Sequence, residues 1–546
     1  MRRNPTAEFL ELTHTDREKC FGQCEKGCNS LKASLGHMFG SLLIRSLLFL
    51  IMIATQGCET PQPTPSALTH PPPKAGLQES DVWSGGFWDP SYFQAKQIWG
   101  YVNKHSIVPG EVFDLMLSTG PGLAELSGQI EVYRIGVYDN DDRKLFWKSQ
   151  QVNVPHQPVD NTAGTIGPNW VPMVQAIPTD SWPSGYYTVV FVRSNDYHRD
   201  PDIAYIVVTN PKRSGDILVK LSTNTYQAYN TWGGHSFYRS AGVGKRGHMI
   251  AFDRPTPPAF QEYEYYLVLW LEKLAKKTHI QVDYATDFDL HHDARFATDY
   301  QVFISGAHDE YWSKEEFDHL YHRIFDLGKN TIFWGGNTAY FQVRYADVNR
   351  LGEGEDRGRQ LICYKDLQDP IRHRVPSPVA DLFVTARFRD GARRPETMLL
   401  GVGFQAAFNP SSDGSPWYPY YVESASLPFF ADTGLQKGDS IGNLVGYEWD
   451  NTDPTGDGTH LWDPKTSRIP FIQSQVKTFT VLFQGSPVDS SGQTGRAEGV
   501  YFESKAGAKV FNAGSIRWVW GLGKPGFENE QFNTLNENLI LFFLGS

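Results

Sequence analysis

One short stretch, from Val302 to Trp312, carries the side chains best suited to chemistry. It starts as apolar, strand-like sequence and breaks at Gly306, and His308, Asp309 and Glu310 follow closely. A histidine beside carboxylates can move protons, and carboxylate oxygens can bind a hard metal ion. In α/β folds such groups collect at the carboxyl ends of strands. The same side chains could instead only cap and brace a loop, so this stretch alone leaves both interpretations open.

The residues after this stretch predict the helix that positions it. Ser313 and Glu316 have the spacing of a capping box, in which each side chain satisfies a backbone N–H of the first turn. The helix is expected to stop at Gly328 and to bury one apolar face. That face comprises Phe317, Leu320, Tyr321, Ile324 and Leu327. The local pattern is therefore strand, polar loop and helix.

Four apolar segments in the second half of the chain predict a parallel sheet. An amphipathic helix from Tyr263 to Leu274 lies between the first and the second of them. Strands that alternate with helices form a parallel sheet with helices on both faces. The four predicted strands are Asp216–Ser222, Ile280–Tyr284, Gln301–Ser305 and Asn330–Trp334.

Polar groups follow three of these strands. Tyr229 and Asn230 come after the first, His308 and Glu310 after the third, and Asn337 after the fourth. The loops after parallel strands emerge at one edge of the sheet, so these side chains can meet despite their separation in sequence. This convergence favours a functional site over simple loop bracing.

The residue types at that edge limit the chemistry. The turn after the third strand holds no Ser or Cys, and Cys363 is isolated, so covalent catalysis has no candidate nucleophile. The adjacent His291 and His292 diverge and do not predict a zinc site. Phenol and carboxylate oxygens remain, and as hard, anionic donors they suit ferric iron, which would activate water and polarise a carbonyl.

Composition sets wider limits. The chain of 546 residues has a formal net charge of −11, and no basic patch is evident. Nucleic acid is therefore not expected as a partner. Of five cysteines only Cys363 lies in the body of the chain, so no disulfide framework is expected there.

The N-terminal segments predict export. Residues 1–37 are interpreted as an over-extended start or a cytoplasmic tail, and residues 38–58 as a lipoprotein-type signal segment ending at Cys58. Plain secretion and a single-pass anchor are the alternatives. Residues 59–79 are Pro-rich and predict a tether. The expected location is the periplasmic or outer face of a bacterial membrane.

Two domains are expected after the tether. Residues 80–212 contain regular short strands without helical patterns, which predicts an immunoglobulin-like β-sandwich. Residues 213–546 are expected to form the α/β domain that carries most of the site. Within the sandwich, Tyr186 and Tyr187 follow Pro183-Ser184-Gly185 on one strand and must point to opposite faces.

Five ordered motifs and parts of the sandwich carry a family resemblance. They resemble the large subunit of N,N-dimethylformamidase and its relatives over about residues 95–546. The motifs are TYQAYNTWGG (225–234), SGAHDEYWS (305–313), GGNTAYFQVR (335–344), CYKDLQDP (363–370) and NLVGYEWD (443–450). The resemblance implies a glutamine-amidotransferase-like α/β domain with a mostly parallel sheet. It also implies a mononuclear Fe³⁺ bound by two tyrosines and a glutamate.

Matched motif by motif, the resemblance names the metal ligands. Glu310 in HDEYW is the glutamate and Tyr229 in QAYN is one tyrosine. The second tyrosine would come from SGYY in the sandwich, with Tyr187 preferred and Tyr186 left open. The resemblance implies that His308, Asn337 and Glu448 are the catalytic residues.

The expected activity is iron-dependent hydrolysis of the C–N bond of a small, formamide-like amide by metal-activated water. The alternative is a membrane-tethered binding protein, for glycans or another small ligand, that keeps the fold without turnover. The expected partners are the amide and, through the N-terminal anchor, a membrane. A homo-oligomer is a state to test, and the need for a small subunit is left open.

Overall fold

The computed structural model describes Phe93 and residues 96–196, 198–238, 247–256, 259–346, 358–365, 369–374, 379–408, 417–462, 465 and 470–545. These residues belong to one unit, Pro63–Ser546. The predicted signal segment, the tether and the segments before them lie outside the described residues. Within the described ranges, every helix is too short or too polar to span a lipid bilayer.

The first eight described strands form two sheets that share one apolar core. The sheet orders are β1-β3-β6 and β2-β8-β7-β4-β5, and all neighbours are antiparallel except β2 and β8. Alternate residues such as Leu115, Val132 and Val189 point into the space between the sheets and are fully buried. The elements are β1 (Ile98–Val102), β2 (Ser106–Ile107), β3 (Val112–Thr119), β4 (Leu126–Tyr138), β5 (Asp141–Val154), α1 (Ala163–Ile166), β6 (Pro172–Pro178), β7 (Gly185–Arg193) and β8 (Arg199–Val208).

The rest of the chain mixes helices and strands. Its described strands are β9 (Ile217–Leu221), β10 (Met249–Ala251), β11 (Val282–Thr286), β12 (Val302–His308), β13 (Tyr311–Ser313), β14 (Asn330–Gly336), β15 (Phe341–Ala346), β16 (Gln360–Ile362), β17 (Gly403–Ala407), β18 (Tyr418–Val422), β19 (Ser440–Val445), β20 (Glu448–Asn451), β21 (Val476–Gly485), β22 (Ala497–Ser504) and β23 (Lys509–Asn512). The chain is thus of mixed α/β class, with many strands in several sheets.

The helices of this region are mostly short. They are α2 (Thr223–Tyr229), α3 (Ala259–Glu262), α4 (Tyr265–Thr278), α5 (Asp287–His292), α6 (Ala294–Thr298), α7 (Lys314–Tyr321), α8 (Ile371–Arg374), α9 (Val379–Phe383), α10 (Thr397–Leu400), α11 (Pro470–Gln475) and α12 (Glu530–Leu544). Single 3₁₀ turns occur at Trp232–Gly234, Pro428–Phe430 and Ile516–Leu522, and a π turn at His322–Asp326 continues α7.

The largest sheet in the described ranges has nine strands in the order β11-β9-β12-β14-β23-β22-β21-β18-β19. The five strands from β11 to β23 are parallel, and the remaining four pairings are antiparallel. The prediction of a mostly parallel sheet therefore holds for one half only. The change of direction at β22 has a local cause. A short hairpin connects β22 to β23, so these two strands must run antiparallel.

Both faces of the parallel half are covered. Ile217 and Val219 of β9 lie in the core on one side, and Leu218 between them lies in the core on the other. Such burial on both faces explains why these strands are continuous apolar runs. The predicted strand at Asp216–Ser222 is confirmed as β9, and that at Asn330–Trp334 as β14.

The helix after the central stretch begins as predicted. Ser313 accepts a hydrogen bond from the N–H of Glu316, whose side chain accepts in turn from the N–H of Ser313. Phe317 is buried on the predicted face. Leu327, however, is 44% exposed, because the π turn changes the helical period before the end.

Two smaller sheets carry residues beside the edge of the large one. The four-stranded sheet has the order β10-β16-β15-β13, and β17 pairs with β20. The strand β13 starts directly after Glu310, and β20 starts at Glu448. These two short strands bring the loops that bear both glutamates to the carboxyl edge of the parallel strands.

Candidate metal and catalytic site

The carboxyl ends of three neighbouring parallel strands deliver most of the predicted residues. Tyr229 ends α2, which follows β9. His308 ends β12 and Glu310 follows it, while Asn337 comes directly after β14. The order β9-β12-β14 makes these strands adjacent. The structure therefore brings the three predicted loops together at one edge.

Two phenol groups and one carboxylate form the centre of this cluster. The hydroxyl of Tyr229 donates to Oε2 of Glu310 at 2.6 Å. The hydroxyl of Tyr238 lies 2.7 Å from that of Tyr229, 3.1 Å from Oε1 of Glu310 and 3.2 Å from Oε2. Tyr311 donates to the Tyr238 hydroxyl at 2.8 Å. Three potential anionic oxygen ligands thus lie within hydrogen-bond distance of one another.

Tyr238 is the residue that sequence reasoning missed. The chain reverses at the 3₁₀ turn Trp232–Gly234, where Gly233 and Gly234 have φ of 74° and 77°. This reversal brings the chain back beside α2. The Tyr238 ring stacks there on the Tyr229 ring, with centroids 4.5 Å apart. The double glycine five and four residues before Tyr238 was the available signal, since left-handed φ at both positions favours glycine and marks a tight turn.

The structure places both sandwich tyrosines apart from the cluster, including Tyr187, the predicted second ligand. Its hydroxyl donates to the Pro183 carbonyl at 2.7 Å, and its ring stacks on Trp182 within the sandwich core. Tyr186 points to the opposite face, as strand alternation predicts, and stacks on Phe260 with centroids 3.7 Å apart. Both rings are fixed in aromatic packing, and the second phenol of the cluster comes from Tyr238.

His308 links the phenol cluster to a second glutamate. Its Nε2 lies 3.3 Å from Oε2 of Glu310 and 3.1 Å from Oε2 of Glu448. Its Nδ1 faces the hydroxyls of Tyr263 at 3.2 Å and Tyr447 at 3.3 Å. Burial opposes protonation of this fully buried ring, but the two carboxylates outweigh it and raise the pKa of His308 to about 9. The imidazole is therefore protonated at neutral pH in this arrangement.

Asn337 orients Glu448. The Asn337 side-chain Nδ2 donates to Oε2 of Glu448 at 2.8 Å, and its backbone N–H donates to Asp450 at 2.8 Å. Asn337 holds a left-handed φ of 52°, which asparagine tolerates better than most residues. Its Oδ1 is buried and has no hydrogen-bond donor within the described part of the chain. That oxygen is available to accept an N–H from a bound molecule.

Burial and charge determine the protonation of the oxygen ligands. Burial raises the pKa of Tyr229 and of Tyr238 well above the usual value, and the negative charge of Glu310 adds to this. Burial also works against ionisation of Glu310. The hydrogen bond from His308 and the positive charge of Lys365 outweigh it, so the pKa of the Glu310 carboxyl is below its ordinary value. Without a cation, both phenols therefore keep their protons beside an ionised carboxylate.

Lys365 places a positive charge against the phenol cluster. Its Nζ lies 3.3 Å from the centroid of the Tyr238 ring, 4.5 Å from that of Phe341 and 5.1 Å from that of Tyr311. An ammonium group over an aromatic face is attracted by the ring quadrupole. The same positive charge would partly neutralise a phenolate at Tyr238 once a cation had replaced its proton.

The donor set fits a trivalent hard cation. Among the described residues, no three His, Cys, Asp or Glu side chains converge as metal ligands would. A zinc or calcium site of the usual composition is therefore not evident in those ranges. Two phenolates and the Glu310 carboxylate supply three negative charges, which match Fe³⁺, and iron accepts tyrosine ligands in other proteins.

Other polar residues near the edge have structural partners. Asn230 donates to Gln227 Oε1 and to the Pro255 carbonyl, and so closes the turn after α2. His291 contacts Ser313 Oγ at 2.9 Å. Burial raises the pKa of the Cys363 thiol to about 12, which leaves it without nucleophilic thiolate at neutral pH.

Asp309 points away from the cluster into a separate buried ion network. Its Oδ2 lies 2.8 Å from Nζ of Lys220 and accepts from Ser305 Oγ at 2.6 Å. Lys220 is also 2.6 Å from Oδ1 of Asp287 and 3.1 Å from Oε1 of Glu316, and all four side chains are buried. Of the consecutive residues 308–310, only His308 and Glu310 therefore face the candidate site.

Comparison with known proteins identifies the family. A family model described as "N,N-dimethylformamidase beta subunit-like, C-terminal" matches residues 129–532. A search of curated proteins finds no match. The match spans most of the chain and includes every residue of the cluster described above. This chain belongs to the N,N-dimethylformamidase beta subunit-like family, through that family's C-terminal region.

Proposed function

We propose that this protein hydrolyses the C–N bond of a small, formamide-like amide with a mononuclear ferric ion held by Tyr229, Tyr238 and Glu310. Family membership supports amide hydrolysis. The convergence of the two phenol oxygens and the Glu310 carboxylate within 2.6–3.2 Å of one another carries the proposal for the metal. Oxygens this close can share one cation, which would replace their hydroxyl protons.

When bound, the ion would supply Lewis acidity, and the residues of this chain would supply the proton chemistry. In the overall reaction, water gives its OH to the acyl carbon, the C–N bond breaks, and a proton passes to the leaving nitrogen. His308 holds a proton at Nε2, 3.1 Å from Glu448, and is placed to give it to that nitrogen. Glu448 accepts a proton from the attacking water and then passes it to His308, which restores both groups.

Asn337 positions both Glu448 and the substrate amide. Its Nδ2 holds Glu448 in place, and its Oδ1 accepts the N–H of a secondary amide substrate. Tyr263 and Tyr447 contact the other ring nitrogen of His308 and fix the plane of the imidazole. The two buried tyrosines exclude water from the Nδ1 side of the imidazole. Proton transfer to the substrate therefore takes place from Nε2.

Within the same proposal, the two sheets before Val208 are an immunoglobulin-like sandwich, and the nine-stranded sheet belongs to a glutamine-amidotransferase-like domain. The carboxyl end of β12 supports a different chemistry from covalent amide transfer, because Gly306, Ala307 and His308 lie there and none of them is a Ser or Cys nucleophile. Mass spectrometry of the protein during turnover tests this, since no acyl adduct should accumulate.

The proposal includes partners and location. A small subunit is proposed because the family's description names a beta subunit. Membrane tethering through a lipidated Cys58 and formation of a homo-oligomer are further proposals. Labelling with a radioactive fatty acid tests the anchor, and light scattering of the purified chain tests the oligomer. The alternative of a tethered binding protein gains no support from the site, since glycan binding does not require a buried His–Glu pair.

Metal analysis and activity test the proposal together. The purified chain should contain about one iron per molecule, show a visible phenolate-to-iron absorption band, and release formate from formamide, N-methylformamide or N,N-dimethylformamide. Glu310→Ala should lose the iron and the activity. Asp326→Ala, at an exposed position of the π turn that continues α7, is the control that should keep both. An active, colourless, iron-free protein would contradict the ferric site.

A further inference from the structure

Arg254 is a buried cation that binds backbone carbonyls instead of a carboxylate. It is 0% exposed and has no acidic partner among the residues that the structure describes. Its Nη1 donates to the carbonyls of Trp232 at 3.0 Å and His235 at 2.6 Å. Its Nη2 donates to the Gln227 carbonyl at 2.8 Å, and its Nε donates to Oε1 of Gln227 at 3.3 Å. Because a buried charge is costly unless hydrogen bonds satisfy it, the fold depends on this segment keeping its place around Arg254.

The segment that Arg254 binds connects the two phenol groups of the candidate metal site. Gln227 lies two residues before Tyr229, at the end of α2. His235 follows the 3₁₀ turn that reverses the chain, and it lies three residues before Tyr238. Arg254 thus bonds to both ends of the reversal. A shift of either end would change the 2.7 Å distance between the two phenol oxygens.

The two residues after Arg254 hold the same segment. The Pro255 carbonyl accepts from Nδ2 of Asn230 at 2.8 Å. Thr256 Oγ1 accepts from Nε2 of Gln227 at 2.6 Å. These contacts follow β10, an edge strand of the small sheet β10-β16-β15-β13, and β13 at the other edge starts directly after the glutamate of the cluster. One small sheet therefore supports both the phenol segment and the carboxylate.

The sandwich also holds the reversal. Trp232, in the 3₁₀ turn, is 4% exposed. Its ring packs edge-on against Trp99 and Trp170 of the sandwich, with centroids 5.7 and 5.5 Å away. Edge-to-face packing of this kind adds to the energy of burial. The sandwich thus contributes to the candidate site through the backbone of the reversal, although its own tyrosines lie elsewhere.

We propose that Arg254 is a positioning residue of the metal site, which fixes the reversal so that the two phenol oxygens meet the Glu310 carboxylate before a cation binds. This inference rests on the proposed function, since it concerns the same ligands. The guanidinium acts through the segment between the phenols, because all four of its side-chain bonds go to that segment. A donor set that is already assembled loses less conformational entropy when it binds a metal.

Arg323 provides a matched control. It is also 0% exposed, and burial lowers the pKa of both guanidiniums to about 9, so both stay charged at neutral pH. Its Nη1 and Nη2 donate, at 2.6–3.0 Å, to the carbonyls of Ala297, Tyr300, Gln301 and Asn330. These carbonyls lie shortly before β12 or at the start of β14, at the edge of the sheet opposite to the candidate site. Arg323 therefore shares the chemistry of Arg254 and not its place.

Iron binding by the folded variants tests the inference. Arg254→Gln should weaken Fe³⁺ binding by about 10- to 100-fold, the usual effect of losing a supporting residue, and should shift the visible phenolate-to-iron band. Arg323→Gln should lose comparable stability in urea and keep both the iron affinity and the band. Arg254→Lys keeps the charge but cannot reach all four acceptors, so its affinity should be intermediate. Unchanged affinity and band in Arg254→Gln, or an equal change in Arg323→Gln, would overturn the inference.

A measurement without metal separates this inference from the proposed function. NMR of protein labelled with ¹³C at the tyrosine Cζ reports on the stacked Tyr229–Tyr238 pair in the iron-free state. The Tyr238 signal, assigned with Tyr238→Phe, should move in Arg254→Lys and stay in place in Arg323→Lys. That pattern in a protein that binds no iron would support the inference and refute the ferric site. A Tyr238 signal that Arg254→Lys leaves unchanged would refute the inference even where iron binds.

Hydrogen exchange on the unsubstituted protein decides the question where the variants do not fold. The N–H of Phe237 donates to the Ala228 carbonyl at 3.0 Å across the reversal. In the iron-free protein this N–H should exchange as slowly as the buried N–H groups of β12, since Arg254 keeps the segment closed. Fast exchange at Phe237, with slow exchange in β12, would show that the reversal opens without metal and would overturn the inference.

Discussion

Substitution of Tyr238 by Phe, compared with the same substitution at Tyr187, gives the sharpest test of the site. Both changes remove one phenolic oxygen and keep the ring. The hydroxyl of Tyr238 lies in the cluster with Tyr229 and Glu310, whereas that of Tyr187 donates to a backbone carbonyl in the sandwich. Sequence resemblance favoured Tyr187 as the metal ligand, and the geometry favours Tyr238.

The structure sets the expected size of each effect. Tyr238→Phe removes one accepted hydrogen bond, from Tyr311, and one donated within the cluster, so the metal-free fold should lose about 2 kcal/mol. Tyr187→Phe removes one hydrogen bond and should cost about 1 kcal/mol. For iron the two differ more strongly. Loss of a direct ligand should weaken binding by more than the roughly 10- to 100-fold seen when only a supporting residue is lost.

Iron titration and absorption spectroscopy measure the difference. Tyr187→Phe should bind iron and show the visible band of the unsubstituted protein. Tyr238→Phe should bind iron weakly and lose or shift the band, since one of two phenolates is gone. Urea unfolding of both metal-free variants controls for stability. Loss of iron in Tyr187→Phe with retention in Tyr238→Phe would show that the geometric assignment is wrong.

Three further outcomes are expected. Glu310→Gln should lose iron, whereas His308→Gln should keep iron and lower kcat by about 10²- to 10⁴-fold, as metal analysis and formate release would show; equal iron loss in both would contradict the separate roles. Burial raises the pKa of Glu264 to about 8, so its unfavourable ionisation lowers stability as pH rises from the unfolded pKa toward 8. Glu264→Gln should therefore gain on the order of 4 kcal/mol relative to the unsubstituted protein between pH 5 and pH 9 in denaturant titrations, and a pH-independent difference would refute this. Lys220→Met should cost about 3–5 kcal/mol in urea unfolding because three buried carboxylates lose their cation, against less than about 1 kcal/mol for the exposed Lys277→Met control; similar losses would argue against the buried network.

The parallel half of the fold was predictable because its signals are local. Strands buried on both faces are continuous apolar runs, and capping residues such as Ser313 mark where a helix begins. The antiparallel half was not, because β18 pairs with β21 across a long connection and no local pattern records that partner. The family, in contrast, could be recognised from the motifs alone, since the matching region covers all five of them.

The site was predictable where it depended on strand ends and not where it depended on a loop reversal. Tyr229, His308 and Asn337 follow adjacent parallel strands, so topology alone places them together. Tyr238 reaches the cluster because two consecutive glycines with left-handed φ reverse the chain toward Tyr229. Sequence alone shows only the glycine pair and not where the reversed chain packs. Tyr187 illustrates the converse. Its motif matched, but aromatic packing against Trp182 holds its hydroxyl in the sandwich.

The alternation of side chains along the central stretch explains how one segment can supply a reactive group and still be rigid. His308 and Glu310 face the phenol cluster, while Asp309 between them pairs with Lys220 on the opposite side. The backbone of Glu310 is fixed as well, because its N–H donates to Thr225 Oγ1 and its carbonyl accepts from Tyr340 and Phe341. Asp309 is fixed by Lys220, and the backbone of Glu310 is fixed by its own hydrogen bonds. The Glu310 carboxylate would therefore lose little conformational entropy on binding a cation. The Asp309–Lys220 pair would therefore support the proposed metal site without being a ligand, and its loss should affect stability before it affects the chemistry.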